Sequence, residues 1–444
     1  MSRRVFALVD ASQFYVSCER VFRPDLDGRP VVVLSNNDGC VVARSEEVRA
    51  RGVRNGVPWF QVRDLLPGAV PFSSNYPLYA DFSRRVMETL ATVSPDVELY
   101  SIDEAFVALP ADTPAALAAW ADAVHDRVRQ WTRIPVRVGV APTKTLAKVA
   151  SEVARARGLA GHRATAVLAG TAGAAADALA AMPVTDVWGV GPRLGARLRA
   201  AGVTTAAGLA AMPDPSVRRL LGVVGLRTAL ELRGVSCLPL TRAPAARRSL
   251  TRSRSFGRRV ARRDEMAEAL ATHAADACRA LRREGLAARA LQIFFHTPRH
   301  GAGPHHAASR ALAFSAPTNR TPDVTALARR LLADAWPGDG RFGFGKAGVL
   351  LLDLVPADAV PRDLFLPERT ATDALLAAVD RINARFTGRG TGRTRPVVRF
   401  ASEGTPRGTT TESGHAWAMR QRQRSPGYTT DWRALPPVRL APPA

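Results

Sequence analysis

The chain has 444 residues, 46% of them hydrophobic, enough for three or four domains with substantial cores. Its formal net charge of +23 points to a polyanionic partner. No apolar run is long enough to span a membrane or flanked like a signal peptide, and four scattered cysteines (Cys18, Cys40, Cys237, Cys278) argue against a disulfide framework or a paired zinc site; they read as reduced cytosolic thiols.

In chain order, Val5 to Val9 reads as a buried central strand that ends on Asp10. Val31 to Leu34 is a second strand, Asn36-Asn37-Asp38-Gly39 a hairpin turn, and Cys40 to Ala43 the return. A helix of arginine and glutamate starts at Ser45 and stops at Gly52. Residues 77–94 are helical, with Leu78, Phe82, Val86 and Leu90 at four-residue spacing.

Val97, Leu99, Ile102, Phe106 and Leu109 then mark a β-hairpin interrupted by Asp103 and Glu104. Two adjacent carboxylates in an apolar setting are costly, and a metal ion removes that cost. Neighbours on a strand point to opposite faces, so a bend at Ile102–Asp103 is required if both acids share a site. Asp10, Asp103 and Glu104 suit a two-metal phosphoryl-transfer site, because hard cations there use few carboxylates and leave positions open for substrate oxygens. Spacing alone leaves a salt-bridged or solvated turn equally open for each acid.

Residues 113–132 form an alanine-rich helix, Val136 to Val140 a strand, and Pro142 to Arg157 another helix. Residues 165–240 are mostly helical. Trp188-Gly189-Val190-Gly191-Pro192-Arg193 has the form of a helix-hairpin-helix turn, whose glycines let backbone amides approach a phosphate; an ordinary helix–helix turn fits as well. Residues 221–226 resemble a looser second copy.

Positive charge concentrates beyond this point: the net is +2 for residues 1–160, +4 for 161–240, +11 for 241–355 and +6 for 356–444. Residues 241–263 hold nine arginines and no acid. As far as Arg248 they read as a basic linker; from Ser249 alternation predicts a strand carrying Arg252, Arg254, Arg258 and Arg259, suited to tracking phosphates. A helix over 264–284, strands through 291–295 and 311–314, a helix from Thr321 and a strand over 348–352 complete the order β-α-β-β-α-β, a split βαβ unit. His296, His300, His305 and His306 crowd a loop between two of these strands, which reads as a loop rather than a metal site. Residues 356–444, rich in Pro, Gly, Thr and Arg, read as partly flexible until bound.

Leu8-Val9-Asp10 followed by Phe14-Tyr15, the run from Ser101 to Phe106, and Gly139 to Lys148 together resemble the Y-family DNA polymerases. Val32 to Val41, Phe72 to Tyr76, Ser253 to Gly257, and Ser425-Pro426 with Tyr428 to Trp432 are similar to its UmuC branch, the catalytic subunits of bacterial DNA polymerase V. The resemblance runs nearly the whole chain, with motifs in the expected order. It implies an α+β multidomain, right-hand-like polymerase: a palm of mixed sheet and helices (1–10 and 76–164), small fingers (11–75) over the incoming base pair, a helical thumb with the helix-hairpin-helix (165–240), a basic linker and split βαβ little finger (241–355), and a C-terminal extension (356–444).

The resemblance also implies a reaction: error-prone, template-directed addition of dNTPs to a primer 3′-hydroxyl across damaged DNA, in SOS tolerance and mutagenesis, with two Mg²⁺ ions that Mn²⁺ can replace. Asp10, Asp103 and Glu104 would be catalytic and, with the carbonyl of Ala11, would hold the metals. Tyr15 would be the steric gate against a 2′-hydroxyl. Phe14, Cys40, Val42, Arg49 and Arg155 would contact the nucleotide, although Glu46 stands where other branches carry a triphosphate-binding tyrosine. Gly189, Gly191, Lys144 and the arginines from Arg252 to Arg259 would bind DNA, and Lys148 would pack against the palm acids. Implied partners are damaged primer-template, a processed UmuD dimer (UmuD′), the RecA filament and, through a degenerate peptide at Leu364 and Phe365, a sliding clamp. The implied location is the cytoplasm, at the nucleoid. A catalytically dead scaffold would have lost the acids, and a nucleotidyl cyclase has no use for the helix-hairpin-helix, the arginine-rich domain or the steric gate.

Overall fold

The computed structural model describes residues 4–170, 172–242, 246–298, 303–338, 340–360, 370–387, 396–404, 415 and 417–435. The chain folds into two compact units, Met1–Gly28 with Tyr76–Pro244, and Arg29–Asn75 with Ala245–Ala444.

The first unit is built on a five-stranded sheet, ordered Val97–Leu99, Glu104–Pro110, Arg4–Ala11, Val136–Ala141, Thr165–Val167. All neighbours run antiparallel except the last pair. Arg4–Ala11 is the central strand, and all but its first residue are buried, as its apolar run requires. Phe6 and Leu8 on one face share a core with Phe106, with Leu146, Ala147 and Ala150 of the helix Lys144–Leu159, and with the helices that follow. By alternation Asp10 lies on that same face.

Gly139 sets how closely the helix Lys144–Leu159 can approach. A Cβ there would lie 2.6 Å from the Ala147 carbonyl oxygen and 2.7 Å from the Ala150 carbonyl carbon, and would collide with the Ser151 amide. Thr143 caps the helix by accepting from the Leu146 amide at 3.2 Å, and donates its own hydroxyl to the Glu231 carbonyl at 2.8 Å. The buried Glu231 carboxylate accepts from the Thr145 amide at 2.9 Å and from the amides of Cys237 (2.7 Å) and Leu238 (3.0 Å). An anion at a helix N-terminus satisfies donors that the helix itself leaves open. This ties the helix Lys144–Leu159 to the helix Asp214–Leu232, which is kinked at Gly222, whose φ is +75°. Residues 11–28 also belong to this unit: the helix Phe14–Arg20 packs on Tyr76–Ala91, where Tyr79 donates to Glu19 at 2.7 Å. The first stretch of this unit therefore ends at Gly28.

The second unit holds two sheets. A three-stranded one, ordered Val41–Arg44, Val31–Leu34, Val70–Ser73, makes up the insert with its own small core. A four-stranded antiparallel one is ordered Ala307–Thr318, Leu286–His296, Phe344–Pro356, Ser249–Val260. The helices Arg263–Arg283 and Thr321–Ala335 pack on it around Phe295, Phe344 and Leu281. The strands flank one another as two interlocked split βαβ units, in the order read from the sequence, though each runs several residues longer than its apolar centre. The described parts of the C-terminal extension include ordered elements. Thr370–Phe386 is a helix with Leu376 buried, and Trp417 enters the core of the four-stranded domain. Among the described residues no helix is long and apolar enough to cross a membrane.

Replacing Gly139 by alanine should cost about 1–3 kcal/mol through overpacking against helix backbone. Gly173→Ala, where nothing lies within 4 Å, is the control and should be neutral or slightly stabilising. Thermal unfolding followed by circular dichroism compares the two.

Candidate active site

The chain backbone bends over Ser101–Asp103, and the strand resumes at Glu104. Ser101 holds the bend: its hydroxyl accepts from the amides of Asp103 (3.2 Å) and Glu104 (3.0 Å) and donates to the Asp103 carboxylate. Sheet register places Glu104 opposite Asp10, and the Ala11 amide donates to the Asp103 carbonyl at 2.8 Å. Asp10 and Glu104 thus face each other at one end of the sheet, with the main chain of Asp103 bonded beside them.

Each of two acids has its own cation. Arg137 stands opposite Asp10 on the other neighbouring strand and donates to it at 2.7 Å; it also pairs with Glu152 at 3.1 Å. Lys148 donates to Glu104 at 2.9 Å, its ammonium 4.6 Å from the Tyr100 ring centre and 5.3 Å from that of Trp188. Asp10 is only 6% exposed. Burial pushes its carboxyl up to about 7; Arg137 pulls it down, and Glu104 alongside pushes it up again. A pocket of about 180 Å³ opens here, lined among others by Asp10, Glu104, Arg137, Lys148, Asp186 and Trp188.

Tyr15 stands beside this group. It stacks on Tyr79 with ring centres 4.4 Å apart and meets the edge of Tyr76 at 6.1 Å. Burial raises its phenol, with further contributions from Tyr76 and from the charge of Asp103. Phe14 is buried core, held next to Tyr15 by the left-handed turn at Gln13. Arg155 pairs with Glu152 at 2.9 Å, so Glu152 links it to Arg137 and through that to Asp10. Gly189 has a φ of +89° and Gly191 caps the helix Pro192–Ala200.

Cys40, Val42 and exposed Arg49 belong to the other unit, on the insert. So do the arginines of Ser249–Val260. Arg252 and Arg254 pair with Val349 and Ala347, and so share the helix-side face of the sheet with Leu250. Arg258 is paired with Glu265, and Arg259 donates to the Gly343 carbonyl. Lys144 corrects the sequence expectation of a DNA contact. It is 3% exposed, pairs with Glu98, donates to the Pro239 carbonyl at 2.8 Å and sits 5.1 Å from the Phe106 ring centre. The helix start turns it into the core, where it bridges inner elements of its own unit. Leu364 and Phe365 lie outside the described residues, as does His300.

Sequence reasoning passed over Arg137 and Glu152. A lone arginine in the apolar run Val136 to Val140 was the available signal; its partner could be found only from the register. The donor set is all hard oxygen, with two acids whose mutual repulsion a divalent cation would relieve, so the residues fit such an ion. In the described residues no three His, Cys, Asp or Glu side chains are gathered tightly enough to close around one, because Arg137 and Lys148 engage the carboxylates.

Residues 9–152 match the impB/mucB/samB family, residues 173–203 the IMS family HHH motif, and residues 247–364 the impB/mucB/samB family C-terminal domain. Protein ImpB of Salmonella typhimurium is 39% identical over 442 residues, covering 98% of this chain and 100% of the relative. The chain belongs to this family. Protein UmuC of Salmonella typhimurium strain LT2 is 38% identical, over 97% of this chain and 99% of its own, and Protein MucB of Escherichia coli is 36% identical over the same shares. Among solved structures, a Y-family DNA polymerase chimera, Dbh-Dpo4(243-245)-Dbh, superposes with a TM-score of 0.63 at 20% identity, over 79% of this chain and 99% of its own. An insertion ternary complex of Dbh DNA polymerase gives 0.53 over the same shares. The family member described here thus has the Y-family polymerase fold. Residues 373–438 match a domain of unknown function.

The raised Asp10 carboxyl has a stability consequence. Its folded value lies above the unfolded one, so its contribution is complete below pH 3.8 and is lost as pH rises through about 7. In chelator, Asp10→Asn should therefore be more stable than wild type at pH 8, by on the order of 1–3 kcal/mol, and the two should converge towards pH 4. Thermal shift across that range reads the difference, and added Mg²⁺ should stabilise wild type alone.

Proposed function

We propose that the acids Asp10, Asp103 and Glu104 form the centre at which a primer 3′-hydroxyl attacks the α-phosphate of a deoxynucleoside triphosphate, releasing pyrophosphate. The chain is an error-prone translesion DNA polymerase of the SOS class. The observation that carries the site assignment is the register of Asp10 against Glu104, with Asp103 brought alongside by the Ala11 hydrogen bond.

Y-family polymerases use divalent metal ions; Asp10, Asp103, Glu104 and the Ala11 carbonyl are the residues that would hold two Mg²⁺ here. When bound, such ions neutralise the transferring phosphoryl group and make the attacking hydroxyl more acidic. The protein's own part is positioning and charge. Arg137 holds the Asp10 carboxylate on the pocket side, and Lys148 does the same for Glu104. The Tyr79 and Tyr76 rings fix Tyr15, whose own ring leaves no room for a 2′-hydroxyl. The insert with Cys40, Val42 and Arg49 covers the nascent pair and triphosphate as fingers, with Arg155 and Phe14 supporting the nucleotide from the palm. The glycine turn at Gly189 and Gly191 and the arginines Arg258 and Arg259 hold the DNA backbone, while Arg252 and Arg254, on the helix side of the sheet, do not reach it. A processed UmuD dimer, the RecA filament and a sliding clamp are its protein partners, and the nucleoid its place of work.

Primer extension on undamaged and abasic templates tests this, with RecA filament and processed UmuD present. Asp103→Ala should lower extension by about 10³-fold or more while DNA binding by anisotropy is kept. Absence of extension by wild type with DNA binding intact would favour a scaffold instead. Tyr15→Ala should retain extension and accept ribonucleotides at least about tenfold more readily, read from single-nucleotide incorporation.

A further inference from the structure

Four segments that set this branch apart in the sequence lie far from one another along the chain: the turn at Asn37-Asp38, Phe72 to Asn75, Ser253 to Gly257, and the C-terminal stretch through Ser425. The structure gathers all four at one place within the second unit. At its centre runs residues 417–426, part of the stretch that matches a domain of unknown function.

One end is anchored in the four-stranded domain. Trp417 is 6% exposed, donates to Glu268 at 3.2 Å, lies parallel to His415 with ring centres 4.8 Å apart, and meets Phe256 and His273 at 5.8 Å. The Gly257 amide donates to the Trp417 carbonyl at 3.1 Å. A side chain at Gly257 would collide with Ala418.

The other end is anchored on the insert. The Ser73 amide donates to the Gln423 carbonyl at 3.0 Å, the Gln423 amide returns a bond to the Ser73 hydroxyl at 3.0 Å, and Ser73 and Arg424 form a parallel bridge. The segment thus pairs with the C-terminal end of the strand Val70–Ser73, at the open edge of its sheet. Asp38 accepts from the Arg422 amide at 2.9 Å and from the Ser73 hydroxyl. Asn75 is fully buried and its amide nitrogen donates to the Ser425 hydroxyl at 2.9 Å and to the carbonyls of Ser425 (3.3 Å) and Pro426 (3.1 Å). Asn37 ties all three parts together: its side-chain oxygen accepts from the Arg420 amide at 2.9 Å and its nitrogen donates to the Phe256 carbonyl at 3.0 Å.

We infer that residues 417–426 are an internal strap that fastens the insert to the four-stranded domain, so that the two move as one body, with Asn37, Asp38 and Asn75 as its positioning residues. The bonds from the insert side chains go mainly to the strap's main chain, so the fastening depends on its path more than on its arginine side chains. Resting on the reading of the insert as fingers and of the four-stranded domain as a DNA grip, the strap ties nucleotide positioning to DNA engagement.

Asn75→Asp in the full chain tests this without changing side-chain volume: it puts an acceptor against two carbonyls. Hydrogen exchange should quicken by about tenfold or more in 31–44, 70–75 and 417–426 together, leaving 286–296 and 344–356 unchanged. Asp38→Ala, in a turn outside the core, should give the same pattern more weakly. Faster exchange in 417–426 with 31–44 unchanged would overturn the strap, since the tail would then merely rest on the insert. In extension assays the variants should raise the nucleotide KM by about tenfold with DNA affinity held within about twofold. Unchanged nucleotide KM would overturn the positioning role. The exchange result does not depend on catalysis, so inactivity of wild type would count against the proposed function and leave the strap to be judged on exchange alone.

Discussion

Two carboxylates placed opposite each other on neighbouring strands, one of them nearly buried, set the terms for the first unit. Asp10 and Glu104 repel, and burial denies them water. Either acid left alone in such a place would cost several kcal/mol. The fold answers with two cations from different elements: Arg137 from the next strand and Lys148 from a helix across the sheet. That helix can deliver Lys148 only because Gly139 lets it settle onto the strand. A backbone position with no side chain and a carboxylate pair at the sheet end are thus parts of one arrangement.

The same helix carries the unit's other internal ties. Its cap, Thr143, and its first turn are joined to Glu231, so the helical region beyond residue 172 is fixed to this helix by hydrogen bonds as well as to the sheet by a shared core. The second unit solves a different problem. Its insert has a core of modest size, and one end of its edge strand is paired with a segment about 350 residues further along the chain. Small domains bury too little to be secure by themselves, and an added strand supplies both cover and register.

Much of this could be read from the residues. The acidic hairpin, the bend it needs, the central apolar strand and the β-α-β-β-α-β order all follow from short-range patterns, because strand alternation and helix periodicity are written locally. What stayed hidden depends on register and tertiary contact. Arg137 becomes meaningful only when paired opposite Asp10. Lys144, a charged residue at a helix start, looks solvent-facing until Glu98 and Pro239 close over it. The helix Thr370–Phe386 was masked by averaging its composition with flanking residues rich in glycine, proline and arginine. The contacts of residues 417–426 were hidden by distance: Asn75 and Ser425 are 350 positions apart, and no local pattern links them.

That separation also orders events during synthesis. The insert leaves the ribosome early, but the segment that pairs with its strand end is made about 350 residues later. At roughly 5–20 residues per second the edge stays uncovered for about 20–70 s. A chain that stops short of Trp417 has no means of closing it. Completion of the second unit therefore waits for residues 417–426, and a copy cut short before them is left with its insert untied.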